Sequence, residues 1–238
     1  MQAGIRSRYW RRALFAAAIA ASVSLSFAIG LAQGKDDLGD VIAKMNARAA
    51  AFQNVQADFE WETYNAVMKQ KDPDTQTGRS YFRRQGHDLT AMLDVQKPTR
   101  KQLLYKDGEV SFYEPNVNRI TKRAVGKNKA DVDAAMSLGF GGRGDDLLKA
   151  YDVKWMGWED LDGVRTAKLE LVNKNPQKAF TRAIIWLDPE RDIALQQQFF
   201  TASGDYRLIR YHKIKYNGKI SDGDFKLRTH GSPEIITQ

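Results

Sequence analysis

The spacing of apolar and polar residues changes period several times along this chain, and each change predicts a new kind of element. From Ala13 to Leu31 every residue is apolar or small. Between Asp36 and Asn54, Leu38, Val41, Ile42, Met45, Ala49 and Phe52 recur every three or four residues. That spacing builds one apolar stripe on a helix, and Asp36 and Asp37 suit its positive N-terminal end. The period then drops to two. Val55, Ala57, Phe59, Trp61 and Thr63 alternate with Gln56, Asp58, Glu60 and Glu62, the pattern of a half-buried strand with one wet face. A polar loop, Lys69 to Thr77, follows.

Short strand-like runs then succeed one another: 78–84, 88–95, 100–106, 109–113 and 117–123. Asp107-Gly108 marks a tight hairpin among them. The helical period returns from Asn128, with Ala130, Val132, Ala135, Met136 and Leu138. A glycine-rich break at 139–144 leads into a second short helix with an acidic first turn, Asp145-Asp146-Leu147-Leu148-Lys149-Ala150. A second β series closes the chain at 151–158, 163–173, 179–187, 193–201 and 206–216. A short element is expected at Asp222–Arg228.

Strands that follow one another without intervening helices pair antiparallel. About ten to eleven of them in one flat sheet would leave long edges, so curling toward a barrel is expected. The predicted fold is mainly β (α+β): an incomplete antiparallel barrel with an N-terminal helix and a short helical lid. Its inward face is expected to carry Phe59, Trp61, Leu93, Leu104, Phe112, Leu169, Leu171, Ile184 and Trp186. The helices have one place to bury their stripes, against that concave face. Lid residues Met136, Leu138, Phe140, Leu147 and Leu148 would cover it, and the glycine-rich break reads as a flexible hinge.

The 238 residues carry a formal net charge of +8, which first points to an acidic partner. Four of the positive charges, Arg6, Arg8, Arg11 and Arg12, precede the apolar run, and no acid lies before Ala32. A basic start before an apolar run is the plan of a secretory signal, with a cut expected after Ala32. An uncleaved anchor and a twin-arginine signal, from Arg11-Arg12, are the alternatives. Each places the domain from residue 33 to 238, read as a single domain, outside the cytoplasm. Without the signal about +4 remains, spread over strand faces. No nucleic-acid face is read from Tyr206–Tyr216, where basic and aromatic residues interleave on an amphipathic strand; a patch for anionic lipid headgroups or an acidic partner protein is the alternative. The absence of cysteine excludes disulfides, thiol catalysis and a lipid anchor at a lipobox.

Chemical motifs are few. Gly139, Gly141 and Gly144 satisfy G-x-G-x-x-G, but the flanking strand and parallel sheet of a dinucleotide site are not predicted. Arg143-Gly144-Asp145 is a chance tripeptide. His87, His212 and His230 lie far apart, so no metal site is expected. No nucleophile elbow or phosphate loop occurs. The sequence therefore reads as a binding protein rather than an enzyme, with no cofactor.

Several segments resemble the LolA/LolB superfamily of lipoprotein carriers. Val55-Gln56-Ala57-Asp58-Phe59 is similar to the family's first strand, and Gly78 with Tyr81-Phe82-Arg83-Arg84 to its second. Leu104 to Pro115 is similar to the stretch where a strand meets Asp-Gly, an aromatic pair and proline. Asp222-Gly223-Asp224-Phe225-Lys226-Leu227 resembles the closing element. Leu138 to Gly142 and Trp186-Leu187-Asp188 look more like a divergent lipoprotein-sorting branch. The resemblance implies a hydrophobic cavity under a helical lid, held shut by Arg84 with Arg83 beside it, although Gln85 replaces the family's following proline. It implies a monomeric periplasmic carrier or chaperone of lipid or lipoprotein acyl chains, touching membranes transiently between inner-membrane export machinery and an outer-membrane acceptor. A lipid-sensing regulatory or assembly module acting through a protein partner is the alternative.

Overall fold

The computed structural model describes residues 37–86, 88–126, 129–175 and 180–238. The expected signal, Met1–Ala32, and His87 lie outside them. Val41–Gln238 forms one compact unit. Helix α1 covers 37–49. The strands are β1 (Asn54–Asn65), β2 (Gln70–Lys71), β3 (Gln76–Gln85), β4 (Asp88–Lys97), β5 (Lys101–Lys106), β6 (Glu109–Glu114) and β7 (Arg119–Ala124). Helices α2 (Lys129–Met136) and α3 (Gly144–Ala150) come next. The second series is β8 (Tyr151–Leu161), β9 (Val164–Asn173), β10 (Arg182–Asp188), β11 (Ile193–Phe200) and β12 (Tyr206–Tyr216), with β13 (Glu234–Thr237) after it.

The 13 strands among the described residues belong to one mainly β sheet, two more than the upper sequence expectation. The additions are the two-residue β2 and the short β13, too brief to leave a period. The order is β13-β7-β6-β5-β4-β3-β1-β12-β11-β10-β9-β8, with β2 beside β1. Two antiparallel meanders thus meet where β1 pairs with β12. Among the described residues only β13 runs parallel to its neighbour, β7. Among the described residues β8 and β13 do not pair, so the barrel is open. Because β7 and β8 sit toward opposite edges, the chain must travel between them, and it does so through α2 and α3. The lid exists for that topological reason.

Hairpin geometry follows the residues. Asp107-Gly108 and Asp162-Gly163 have φ of 52 and 73°, and 50 and 79°. These left-handed pairs match the twist of the strands they join.

Residues paired across antiparallel strands share a face. The concave face therefore holds Ala57, Ser80, Leu93, Leu103 and Phe112 across one meander. Trp61, Ile209, Gln197, Ile185 and Leu169 continue it across the other. Val41, Ile42 and Met45 of α1 are buried, as are Phe52, Val55 and Phe59 after it.

The convex face is covered differently. After β12 the chain crosses the outside of β4 and β5 as a strap. A 3-10 turn, Asp222–Phe225, is closed by reciprocal bonds between Ser221 and Asp224. Phe225 packs on Tyr81 and Met92. Arg83 binds Asp222 at 2.6 Å and lies 4.4 Å over the Phe225 ring. Buried Asp94 accepts from Gln102 at 3.0 Å, and Gln102 accepts from the Arg228 backbone N–H at 2.8 Å. The strap ends as β13, where Arg119 donates to Glu234 at 2.9 Å.

Candidate ligand site under the lid

The lid's central residue is Phe140, 2% exposed. Its ring stacks on Phe82 at 4.2 Å and meets Tyr211 edge-on at 5.0 Å. It packs into the same cluster as Phe52, Val55, Phe59, Phe82 and Tyr105, with Trp61 and Leu93 beside it. The lid thus inserts a plug into the concave face rather than roofing an empty bowl.

Backbone bonds hold that plug. The Ala194 N–H donates to the Gly139 carbonyl at 2.7 Å, and the Gly141 N–H to the Asp192 carbonyl at 3.2 Å. Between them Phe140 and Ile193 form an isolated antiparallel bridge. The Gln197 amide donates to the Leu138 carbonyl and accepts the Tyr211 hydroxyl at 2.8 Å. The glycine-rich break is therefore no flexible hinge. Gly139 and Gly141 have φ of +79 and +68°, and an added Cβ would stand 2.4 Å from the Ala194 Cβ and 2.3 Å from the Phe52 ring. Glycine is there because the lid backbone passes too close to its neighbours for any side chain.

The flanking helices have their own attachments. Asp133 of α2 accepts the buried Tyr105 hydroxyl and Lys129 Nζ, the latter at 2.8 Å. Burial, and then the Asp133 carboxylate, suppress the acidity of Tyr105. The Asn46 amide of α1 donates to Asp145 Oδ1 at 2.9 Å and accepts the Asp145 backbone N–H at 3.1 Å.

A cavity of about 370 Å³ lies beneath α1, the lid and α3. Met45, Leu89, Leu138, Leu147 and Ala150 give it apolar walls, and Arg84 reaches it from β3. The Arg84 Nε is buried without a hydrogen-bond partner. Nearby Asp192 is wholly buried, and neither of its carboxylate oxygens is bonded. Burial pushes its pKa up to about 8, and the Arg84 charge opposes that only in part.

The residues expected at the site divide. Phe59, Trp61, Leu93, Phe112, Leu169 and Leu171 share the concave face by register. Leu104 does not: it pairs with Met92 and Ser111 and packs on the convex cluster under the strap. Ile184 and Trp186 also face outward. They pair with Glu170 and Lys168, whereas Leu169 pairs with Ile185 and Leu171 with Ala183. Lys168 covers the Trp186 ring at 4.7 Å, a long side chain shielding apolar surface. In the lid, Leu138, Phe140 and Leu147 are buried and Met136 half-buried, but Leu148 is 40% exposed and faces away. The expected latch changes as well. Arg84 lies at the lid cavity without bonding through its Nε, Arg83 belongs to the strap, and the backbone bonds to the plug come from β11 and the turn before it. Sequence reasoning missed Gln197 and Asp192, polar residues whose role depends on burial alone. His212 sits near Asp162 at 3.9 Å and His230 on the Tyr113 hydroxyl at 3.0 Å, and neither lines the cavity.

No protein-family model and no curated protein matches the chain. Solved structures do. MucB aligns with a TM-score of 0.53 at 12% identity, over 84% of this chain and 66% of its own. This chain therefore spans about two thirds of MucB. An uncharacterized conserved protein from Thermus thermophilus also aligns at 0.53, with 13% identity, over 86% of this chain and 99% of its own. A putative outer membrane lipoprotein-sorting protein domain from Vibrio parahaemolyticus aligns at 0.42 and 14% identity, over 78% and 94%. The chain shares the fold of MucB and of the Thermus thermophilus protein.

Proposed function

We propose that this chain binds lipid or lipoprotein acyl chains in its half-barrel, outside the cytoplasm, and carries them between membranes without making or breaking a bond. The observation that carries the reading is the Phe140 plug. A folded core needs no aromatic side chain delivered by a bridging loop, stacked into a concave apolar face beside a cavity that already exists. An acyl chain could take the place of that ring. Each methylene buried contributes about 0.8 kcal/mol, so about five match the ring that leaves. Removing Phe140 from the face exchanges one apolar group for another, and the bonds at Gly139 and Gly141 can pass to water. Opening of a few kcal/mol would permit loading and release. The periplasm, an inner-membrane donor and an outer-membrane acceptor are the setting this reading implies.

The test is direct. Organic extracts of the purified protein should contain lipid, and fatty-acyl probes should bind and change tryptophan emission, since Trp61 lies on the concave face. Extracts without lipid, together with probes that neither bind nor alter emission, would sink the reading.

A second reading is a lipid-sensing module that reports to a protein partner. One observation favours it: MucB, which shares the fold, is also found in complex with MucA. Transfer of labelled lipid between vesicles separates the two. A carrier moves it, whereas a sensor binds tightly, transfers none and is recovered with a partner.

A further inference from the structure

We infer that the cavity beside the plug receives the anionic head of an amphiphile, and that Arg84 is the group that takes its charge. The inference rests on the acyl-chain reading and adds the polar end of the ligand. Four charged side chains line this cavity: Arg84, Asp133, Arg143 and Asp146. Three of them are already paired. Asp133 holds Lys129 at 2.8 Å, Arg143 holds Asp145 at 3.3 Å, and Asp146 holds Lys149 at 3.0 Å. Arg84 is the exception, with its Nε buried and unbonded.

A buried guanidinium nitrogen without an acceptor is unfavourable, and a carboxylate or phosphate supplies acceptors in the forked geometry it needs. Among the described residues none supplies an acceptor to that nitrogen. Asp192 feels the charge of Arg84, yet both its oxygens are unbonded, and burial favours its neutral form. The positive charge is left for a ligand. Around it, Met45, Leu89, Leu138 and Leu147 are apolar. A small aqueous anion would satisfy Arg84 and leave those walls unused; a neutral chain would do the reverse. An anionic amphiphile satisfies both, and about 370 Å³ falls within the usual range of ligand pockets.

Dodecanoate, dodecyl phosphate and 1-dodecanol, titrated into the full chain at neutral pH and followed by tryptophan emission, test this. Both anions should bind about tenfold or more tighter than the alcohol. The two anions also distinguish a free fatty acid from a phosphate headgroup as the preferred source. Arg84→Gln should erase the preference while leaving dodecanol affinity in place, and Arg84→Lys should keep part of it. Arg83→Gln, next in sequence but on the convex face, should keep all of it. If Arg84→Gln does not fold, the contrast between Arg84→Lys and Arg83→Gln decides. Equal binding of all three amphiphiles, or a full preference surviving at an altered Arg84, overturns the assignment and leaves the acyl-chain reading standing. If none of the three binds, the acyl-chain reading itself falls.

Discussion

Two coverings lie on opposite faces of the same sheet, and they are held by different chemistry. The C-terminal strap is sewn to the convex face by polar groups that find one another. Asp94 is bonded by Gln102, and Gln102 in turn binds the strap backbone at Arg228. Arg83 answers Asp222 and holds that carboxyl below the usual range. The lid on the concave face is held by an aromatic plug, a few backbone bonds and side-chain bonds from Gln197, Tyr105 and Asn46, beside a carboxylate and a guanidinium nitrogen that remain unbonded. The strap's network leaves the buried Arg83 Nε unbonded, but its carboxylates are all engaged, and a network bonded in this way loses by leaving its one arrangement. An apolar plug can be replaced by another apolar group. The strap is therefore structure and the lid an exchangeable occupant.

The sharpest way to break this contrast is to remove one aromatic from each covering. Phe140→Ala and Phe225→Ala should each lower stability by about 3–5 kcal/mol in denaturant melts, since both rings are buried. Only Phe140→Ala should also raise the affinity for an acyl probe, because it vacates the site. An equal effect of both on binding would erase the distinction. A gentler change is Gly141→Ala, which forces a side chain against the Phe52 ring at positive φ. It should lower the stability of the closed form by about 3 kcal/mol and tighten probe binding by holding the lid out.

Asp192 adds a pH signature to the lid. Its pKa is raised from 3.8 to about 8 in the folded protein, so the folded form keeps a proton that the unfolded chain gives up. The stability this proton contributes is complete below pH 3.8 and disappears as pH climbs to about 8. Asp192→Asn should leave stability unchanged near pH ~4 and raise it by about 2 kcal/mol at pH ~9, local relaxation absorbing the rest. A gain that is the same at both pH values would contradict the buried, unbonded carboxylate. The smallest effect belongs to the strap's edge. The Arg119–Glu234 pair is solvent-exposed, and Arg119→Ala should change stability by less than about 1 kcal/mol and binding not at all.

Much of the architecture was legible because it follows from local pattern. The longer strands, the Asp-Gly hairpins and the break into helices at 129–150 all leave a period or a turn residue in the sequence. Faces were legible only where one side is wet. In β1, Glu60 and Glu62 mark the outside, so Phe59 and Trp61 are placed by alternation. In β10 the run Ala183-Ile184-Ile185-Trp186-Leu187 is buried throughout, and nothing local says that Ile185 looks inward and Ile184 outward. Leu103 and Leu104 pose the same ambiguity. The strap was invisible for another reason: its irregular backbone is fixed by long-range partners. Gly139 and Gly141 look like loosening residues until Ala194 and Phe52 are seen pressed against them, and Asp192 looks like one more turn acid until its burial is known.

The central claim is that a bound chain displaces Phe140 while the strap stays in place. Hydrogen exchange of individual backbone amides, with and without dodecanoate, tests it most directly. The amides of Gly141 and Ala194, which bond the lid to β11 and the turn before it, should exchange faster when the chain is bound. Those of Arg228 and Glu234, which bond the strap, should not change. Saturating ligand that leaves Gly141 and Ala194 unchanged or better protected would contradict the displaced plug.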